Sequence, residues 1–509
     1  MANWLDLSNN ANCFESMYVK GFVDMSGGSL QLRNADNHLL VGGDASFNGG
    51  VYLGKNTLSY TDEVIGIDFP STVNVSLIGD YVLNNKMYMP TMSAMSKDGS
   101  TVIIADENYD GTDTNTGLVS VHKYDGTIWN NVGEFIGSTN EYLGYGAALS
   151  YDGNTAAIGT YRRYNESSQQ VGSVDIHKYD GTNWTTTTVY GENTSNQIGE
   201  WVSMNDAGTR FFSGYRSDSK VQIYDFDGTN WNLHTTLAGN INTYYGYVHA
   251  CNSEGNVFAL SARSTATTGF TAKNGATYVY EYDGTDWNAI GGNEDMVGDN
   301  DNDEFGWNLS ISDNYTVIIS STYYNSNQGY VKVYKYNGTS WNQLGNTLVH
   351  EDPDNNDYFG DSVDINTFGD VIAIGCRQDD DVGTDAGAVY LYKFDDTDWS
   401  SLQKITHTDF RTGSETGKYV NLDKYGTKLM TFSSRATTDV DPASGLTYYG
   451  AVAVYDTQGT LAYRAEYKQL PLQIGVETQR LGYAVDISGI IDISGALFTH
   501  GDASMNGNL

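Results

Sequence analysis

Four arginines stand at one register, just past a short apolar run: Arg216, Arg263, Arg377 and Arg435, with Arg162 one position further on in its own segment. The whole chain has only eleven arginines, so this clustering has chemical content. Tyr161, Tyr164, Tyr215, Tyr323 and Tyr324 crowd the same stretches. A guanidinium offers a planar fork of donors and a tyrosine ring offers a stacking face, a pairing suited to anionic sugars. The arginines also stand near acidic stretches, "GDNDNDEFG" from Gly298 and "EDPDNNDYFG" from Glu351, and structural ion pairing accounts for them equally well.

Those acidic stretches raise a second chemistry. Asp299, Asp301 and Asp303 alternate, and Asp352, Asp354 and Asp357 are spaced similarly, as oxygen ligands to a hard cation such as calcium would be. The glycine turn and distal carboxylate of a full calcium loop are missing, and a solvated acidic loop fits the same residues. Cys13, Cys251 and Cys376 are few, odd in number and far apart, which suits neither a disulfide framework nor a zinc site. The eight histidines form no pair at metal-binding spacing. No nucleophile elbow or phosphate-binding loop is present. A glycosidase would need two facing carboxylates, for which Asp361, Asp364 and Asp486 are the available residues. The expectation is therefore a protein that is not an enzyme and needs no cofactor.

The elements that position these residues follow from a repeat. "YKYNGTSWNQLG" at Tyr334 has close relatives beginning at His122, His177, Tyr224, Tyr280 and Tyr392. Their tryptophans, 129, 184, 231, 287, 341 and 399, recur roughly every fifty residues. A second signature lies upstream of each: "LGYGAALSYDG", "IGEWVSMNDAG", "YGYVHACNSEG", "FGWNLSISDN", "FGDSVDINTFG" and "TGKYVNLDKYG". Each unit reads as four short strands, with Asp-Gly or Asn-Gly turns after the first and third. The tryptophan beyond the second turn covers the hairpin end and packs between neighbouring sheets. One such sheet cannot bury both faces alone, but a closed ring of them can. Composition agrees, with 57 glycines, 39 tyrosines and 5 prolines.

The expected fold is all-β, a seven-bladed β-propeller of four-stranded blades over residues 61–480, with units at 76–138, 139–196, 197–241, 242–299, 300–354, 355–412 and 413–475. Residues 1–60 and 481–509 form β-rich stalk segments for attachment or oligomerisation. "VGGDASFNGG" near the start returns as "HGDASMNGNL" at the end, and "VDMSG" returns as "VDISG" and "IDISG". Modules this short need neighbours to hold a core. "LGYAVDISG" from Leu481 resembles one more opening strand, able to close the ring or lead out of it.

Two family resemblances follow from these motifs. The units resemble FG-GAP/integrin-type propeller repeats, on Phe305-Gly306, Phe359-Gly360, Leu143-Gly144 and the "VYKY" strands. That family often carries a calcium loop between strands one and two, which here is reduced to "SYDGNT" or "INTFGD". The "DASFNG" and "DISG" modules resemble stalk repeats of structural proteins from large aquatic viruses and phage fibres. The "DGTxW" turns are also similar to the sialidase Asp-box, with spacing that differs by one residue. Together these imply a virion fibre, spike or capsid-surface protein, exposed on the particle. Its partners would be host glycans, other capsid proteins and further copies of itself, as a trimer for example, joined through the terminal modules. A bacterial adhesin and a glycan-cleaving propeller are the alternatives. A formal charge of −36 argues against nucleic acid. No secretory signal or membrane span is expected from the hydropathy pattern.

Overall fold

The computed structural model describes residues 75–460 apart from 84–85, 88–89, 112, 195–196, 216–218, 241–242, 293–294, 353–355, 408–411 and 437–449. Of the flanks it describes the backbone of short strands between Leu5–Asp6 and Tyr60–Asp68, and of Thr460–Tyr467. The chain divides into two compact units, Ile67–Thr460 and a second made of Met1–Gly66 with Leu461–Leu509.

The larger unit is a seven-bladed β-propeller of antiparallel blades. Blade one consists of Met92–Met95, Thr101–Asp106, Leu118–Tyr124 and Trp129–Ile136, and blades two to six repeat that order. The second strand of each blade is an apolar run because both its faces are covered. Thr101–Asp106, Val257–Ala262, Thr316–Ser321 and Val371–Cys376 are buried throughout. Cores form between blades: Ile318, Val331 and Val333 of blade five pack with Phe359, Val363, Ile372 and Ile374 of blade six.

Blade seven differs from expectation. Its first three strands are Thr416–Leu422, Lys428–Ser433 and Ala451–Asp456, but the outer edge comes from the start of the propeller. Ser76–Leu77 and Val82–Leu83 pair antiparallel with Ala451–Asp456. Residues 76–83 therefore close the ring instead of opening blade one. Thr460–Tyr467, expected as the last outer strand, pairs with Tyr60–Asp68. A ring whose last sheet is shared by both chain ends leaves no open seam, which explains why the repeat alone misplaced this strand. "LGYAVDISG" lies outside the described residues.

The recurring "DGTxW" segment now has a physical account. In five blades the aspartate Oδ1 (asparagine in blade five) accepts two backbone N–H bonds from the turn, as Asp125 does from Thr127 and Ile128. The glycine after it has φ between 93° and 98°, a conformation other residues resist. The aromatic before it packs on the tryptophan after it, with centroids 4.8–5.4 Å apart. The indole then reaches the preceding blade. Nε1 of Trp184, Trp341 and Trp399 donates to the carbonyls of Val132, Ile290 and Leu344 at 2.9–3.0 Å. Trp129 does the same to Ile78, in the strand that completes blade seven.

The turns between strands one and two form a circuit around one end of the central channel. Asp98 N–H donates to the Tyr151 carbonyl, Tyr151 to Asp206 and Asp206 to Ser253. The Asp313 carboxylate bridges Ser253 N–H and Thr367 Oγ1. Thr367 donates to Lys424 and Lys424 to Lys97, which completes the circle. Lys424 Nζ reaches Asp206 at 3.1 Å, and Lys97 Nζ reaches Asp364 at 3.3 Å. A cavity of about 190 Å3 lies behind this end of the channel.

In the smaller unit, strands pair in parallel after one short coil: Leu5 opposite Val23, Asn12 opposite Leu30, Met17 opposite Leu39. The "DASFNG" modules lie outside the described residues. Among the described residues, no helix is long and apolar enough to cross a membrane.

The channel mouth, a candidate binding site

The opposite end of the channel is built from one position in each blade, the residue after the glycine that opens strand one. That glycine has φ of 77–96° in blades two to seven. A Cβ on Gly360 would stand 2.8 Å from Ser320 Cβ, so the strand sits too close to the preceding blade for a side chain. The residues that follow are Tyr145, Glu200, Tyr247, Trp307, Asp361 and Lys418. The Tyr145 and Tyr247 hydroxyls are hydrogen-bonded to each other. The Trp307 indole donates to Asp361 at 3.2 Å. Burial pushes the Glu107 carboxyl of blade one up to about 7 and raises Asp361, although Arg377 and Lys418 oppose the latter shift.

The predicted arginines surround this mouth, with different partners. Arg377 lies 4.2 Å from the Tyr358 ring centre and 3.5 Å from the Asp361 carboxylate. Arg435 pairs with Glu415 at 3.2 Å. These two follow the ion-pairing account. Arg162 is exposed and lies 4.6 Å from the Tyr142 centroid and 5.2 Å from that of Tyr161. Arg216 lies outside the described residues.

Arg263 stands apart. It directly follows strand Val257–Ala262 and is only 8% exposed. Its guanidinium carbon lies 4.4 Å from the Trp307 ring centre, 4.8 Å from Tyr247 and 5.3 Å from Tyr244. Its Nε, like those of Arg377 and Arg435, has no hydrogen-bond partner, but unlike them it has no carboxylate within ion-pair distance among the described residues. Cation–π contacts of about 0.5–2 kcal/mol each offset part of the cost of burying a charge, but they leave the Nε donor unpaired.

The tyrosines divide. Tyr323 is exposed and meets the Trp307 ring edge-on at 5.1 Å. Tyr161 stacks on Tyr215 at 6.3 Å and meets Tyr145 at 4.8 Å. Tyr324 instead packs on Tyr330 in the core between blades. Tyr164 is exposed. Sequence reasoning missed Tyr247, Trp307, Tyr244 and Tyr358. For Tyr247 and Trp307 the signal was present, since the position after each opening glycine is aromatic or charged in blades two to seven.

The aspartate series do not converge on one point. Asp299 pairs with Lys332 at 2.6 Å, and Asp301 accepts from Thr271 and Ala272. Buried Asp303 accepts from Asp299 N–H, Asn300 N–H and Tyr330. Each carboxylate therefore has a different partner, Asp303 alone bonding its own loop, and none belongs to a metal-ligating group among the described residues. Asp352 offers its backbone carbonyl to His350, Asp357 is buried beside His350, and Asp354 lies outside the described residues. Of the glycosidase candidates, Asp361 lines the mouth. Asp364 accepts from Ser310 and from the Leu422 N–H, and Asp486 lies outside the described residues.

One known family matches part of the chain. Residues 341–392 match the FG-GAP repeat. The segment runs from the outer strand of blade five into the third strand of blade six and contains the Phe359-Gly360 opening. The chain is thus a seven-bladed propeller that carries an FG-GAP repeat. No curated protein sequence matches it. Among solved structures it is similar to U3-55K, at 10% identity over 75% of this chain and 98% of that one, TM-score 0.44. It is also similar to the Cps50 (Swd1) propeller domain of Myceliophteria thermophila, at 6% identity over 75% and 99%, TM-score 0.46. A third is the Kuenenia stuttgartiensis hydrazine synthase, at 12% identity over 70% and 95%, TM-score 0.44.

Proposed function

We propose that the propeller is the non-enzymatic binding head of a structural virion protein, a fibre, spike or capsid-surface component. Its channel mouth engages acidic glycans on the host surface, and its terminal modules join copies of the chain or dock on neighbouring capsid proteins. The observation that carries the binding role is Arg263. A buried cation with no counter-charge among the described residues costs stability, because an apolar residue of similar size avoids the desolvation penalty. Such a residue makes sense where a ligand supplies the missing anion. The rings of Trp307, Tyr247 and Tyr323 offer stacking faces for a sugar beside it, and exposed Arg162 adds a second cation at the rim, whereas Arg377 and Arg435 are held by Asp361 and Glu415. The virion assignment rests on the resemblance of the terminal modules.

Two experiments test these parts separately. A glycan array with the full chain should show sialylated, uronic-acid or sulfated glycans bound over neutral ones. Preference for neutral glycans, or no binding, would remove the arginine-centred account. Mass spectrometry of purified source particles, before and after mild stripping, tests location. Stoichiometric presence lost on stripping supports a surface component, and absence from particles refutes it.

A further inference from the structure

A second cluster lies away from the channel, where the segment after blade five meets blade six. His350, Cys376 and Asp379 are buried, and their ligand atoms all lie within 4.8 Å of one another. They come from three places: the segment before the blade's first strand, the end of its second strand, and the loop after it. His350 Nδ1 lies 2.8 Å from the Asp352 carbonyl, which can only accept, so that nitrogen carries the proton in the neutral ring. Burial lowers the His350 pKa but its bonds to Asp379 and Asp352 raise it overall, so a metal must compete with a proton for Nε2. That nitrogen points at Asp379 Oδ2, 3.0 Å away, and at the Tyr390 hydroxyl, 2.5 Å away. Tyr390 is in turn 2.7 Å from Asp379. The Cys376 thiol faces the Asp357 carbonyl at 3.3 Å.

We infer that His350, Cys376 and Asp379 form a structural zinc site, with the Tyr390 oxygen at the fourth corner. The donor set of one imidazole, one thiolate and two oxygens suits zinc and is wrong for calcium. Zinc bonds of about 2.0–2.3 Å place neighbouring ligand atoms roughly 3.3–3.7 Å apart. His350 and Asp379 stand 3.0 Å apart, the Tyr390 oxygen, 2.5 and 2.7 Å from them, must move outward, and closing the widest gap takes about an ångström. The bond from Nδ1 to a backbone carbonyl is the outer contact that zinc-binding histidines use to fix their tautomer. Lys404, 2.7 Å from Asp379 and also paired with Asp381, holds the carboxylate in place. Zinc and Lys404 would carry three positive charges, against four negative ones on Asp379, Asp381, buried Asp357 and the Cys376 thiolate. Binding forms the Zn–S bond and releases the Cys376 thiol proton to solvent, with no change of oxidation state.

The bland alternative is a buried hydrogen-bond network that holds no metal. The full chain would be stripped with chelator, titrated with zinc, and then with cobalt as a spectroscopic probe. The inference predicts one metal per chain, a sulfur-to-cobalt charge-transfer band in the near ultraviolet, and a zinc absorption-edge spectrum with one sulfur at about 2.3 Å. Cys376→Ser should abolish the band while Cys251→Ser keeps it, and His350→Gln should weaken binding at least tenfold. No stoichiometric binding, a band that survives Cys376→Ser, or a wild-type edge spectrum with only nitrogen and oxygen neighbours would overturn it. The edge spectrum needs only the wild-type chain, so it decides the matter even if a variant fails to fold.

Discussion

Replacing Trp399 and Trp287 by phenylalanine should have unequal costs, although both occupy the same place in the repeat. Each substitution removes the same atoms and keeps a ring against the preceding aromatic, so the loss of apolar contact is similar. The polar term differs. Trp399 Nε1 donates to the Leu344 carbonyl at 2.9 Å, whereas Trp287 Nε1 is buried without a partner among the described residues. Losing a hydrogen bond costs about 1 kcal/mol, and the orphaned carbonyl adds roughly another 1 kcal/mol or more. Removing an unsatisfied buried N–H returns a similar amount. Trp399→Phe should therefore be less stable than Trp287→Phe by about 3 kcal/mol, read as a lower urea midpoint by far-ultraviolet circular dichroism at unchanged slope. Equal midpoints, or the reverse order, would show that the indole recurs for its bulk alone and that the blade-to-blade hydrogen bond is incidental.

Acid should destabilise the propeller through its buried histidines, with Glu107, raised by burial to about 7, offsetting part of the loss. Burial lowers His122 and His177 to about 4 and His249 to about 3, from an ordinary 6.5. Between those limits the unfolded chain takes up protons that the folded one refuses, so stability falls as pH drops from 6.5 to 4, by roughly 3 kcal/mol per histidine. Urea midpoints across that range check it, and a flat profile would refute it. Gly360→Ala should cost more than Gly338→Ala, by about 1–3 kcal/mol in thermal unfolding. Both have φ near +90°, but only Gly360 has a neighbour in the way. A fragment of residues 67–460 should melt as the head does in the full chain, whereas one starting at 86 loses the closing strand, melts earlier and self-associates through the bared edge. Equal melting of the two fragments would contradict the closure by residues 76–83.

The blades were legible because their determinants are local. Alternation, Asp-Gly turns and a tryptophan at fixed distance need nothing beyond one unit. The closing strand was not legible, since Ser76–Leu77 and Val82–Leu83 have no repeat signature and owe their place to a partner at the far end of the ring. The same divide runs through the site. The arginine register was readable, yet which arginine lacks a carboxylate depends on which blade stands beside it. Arg377 and Arg435 meet Asp361 and Glu415, whereas Arg263 meets Trp307 and two tyrosines. The acidic loops misled because alternate spacing says nothing about where carboxylates point. Conversely, His350, Cys376 and Asp379 show no metal spacing in the sequence and meet only in the fold.

The central claim is that Arg263 is kept for a ligand and not for the fold. Arg263→Met separates the two in one preparation, by titration calorimetry with the best acidic glycan from the array and thermal unfolding of the same sample. Removing an unpaired buried charge should leave the melting temperature unchanged or higher. Losing a charge-assisted hydrogen bond of about 1.5–3 kcal/mol should weaken binding roughly 10- to 150-fold. A variant that melts markedly lower and binds as the wild type does would assign Arg263 to the scaffold and contradict the account.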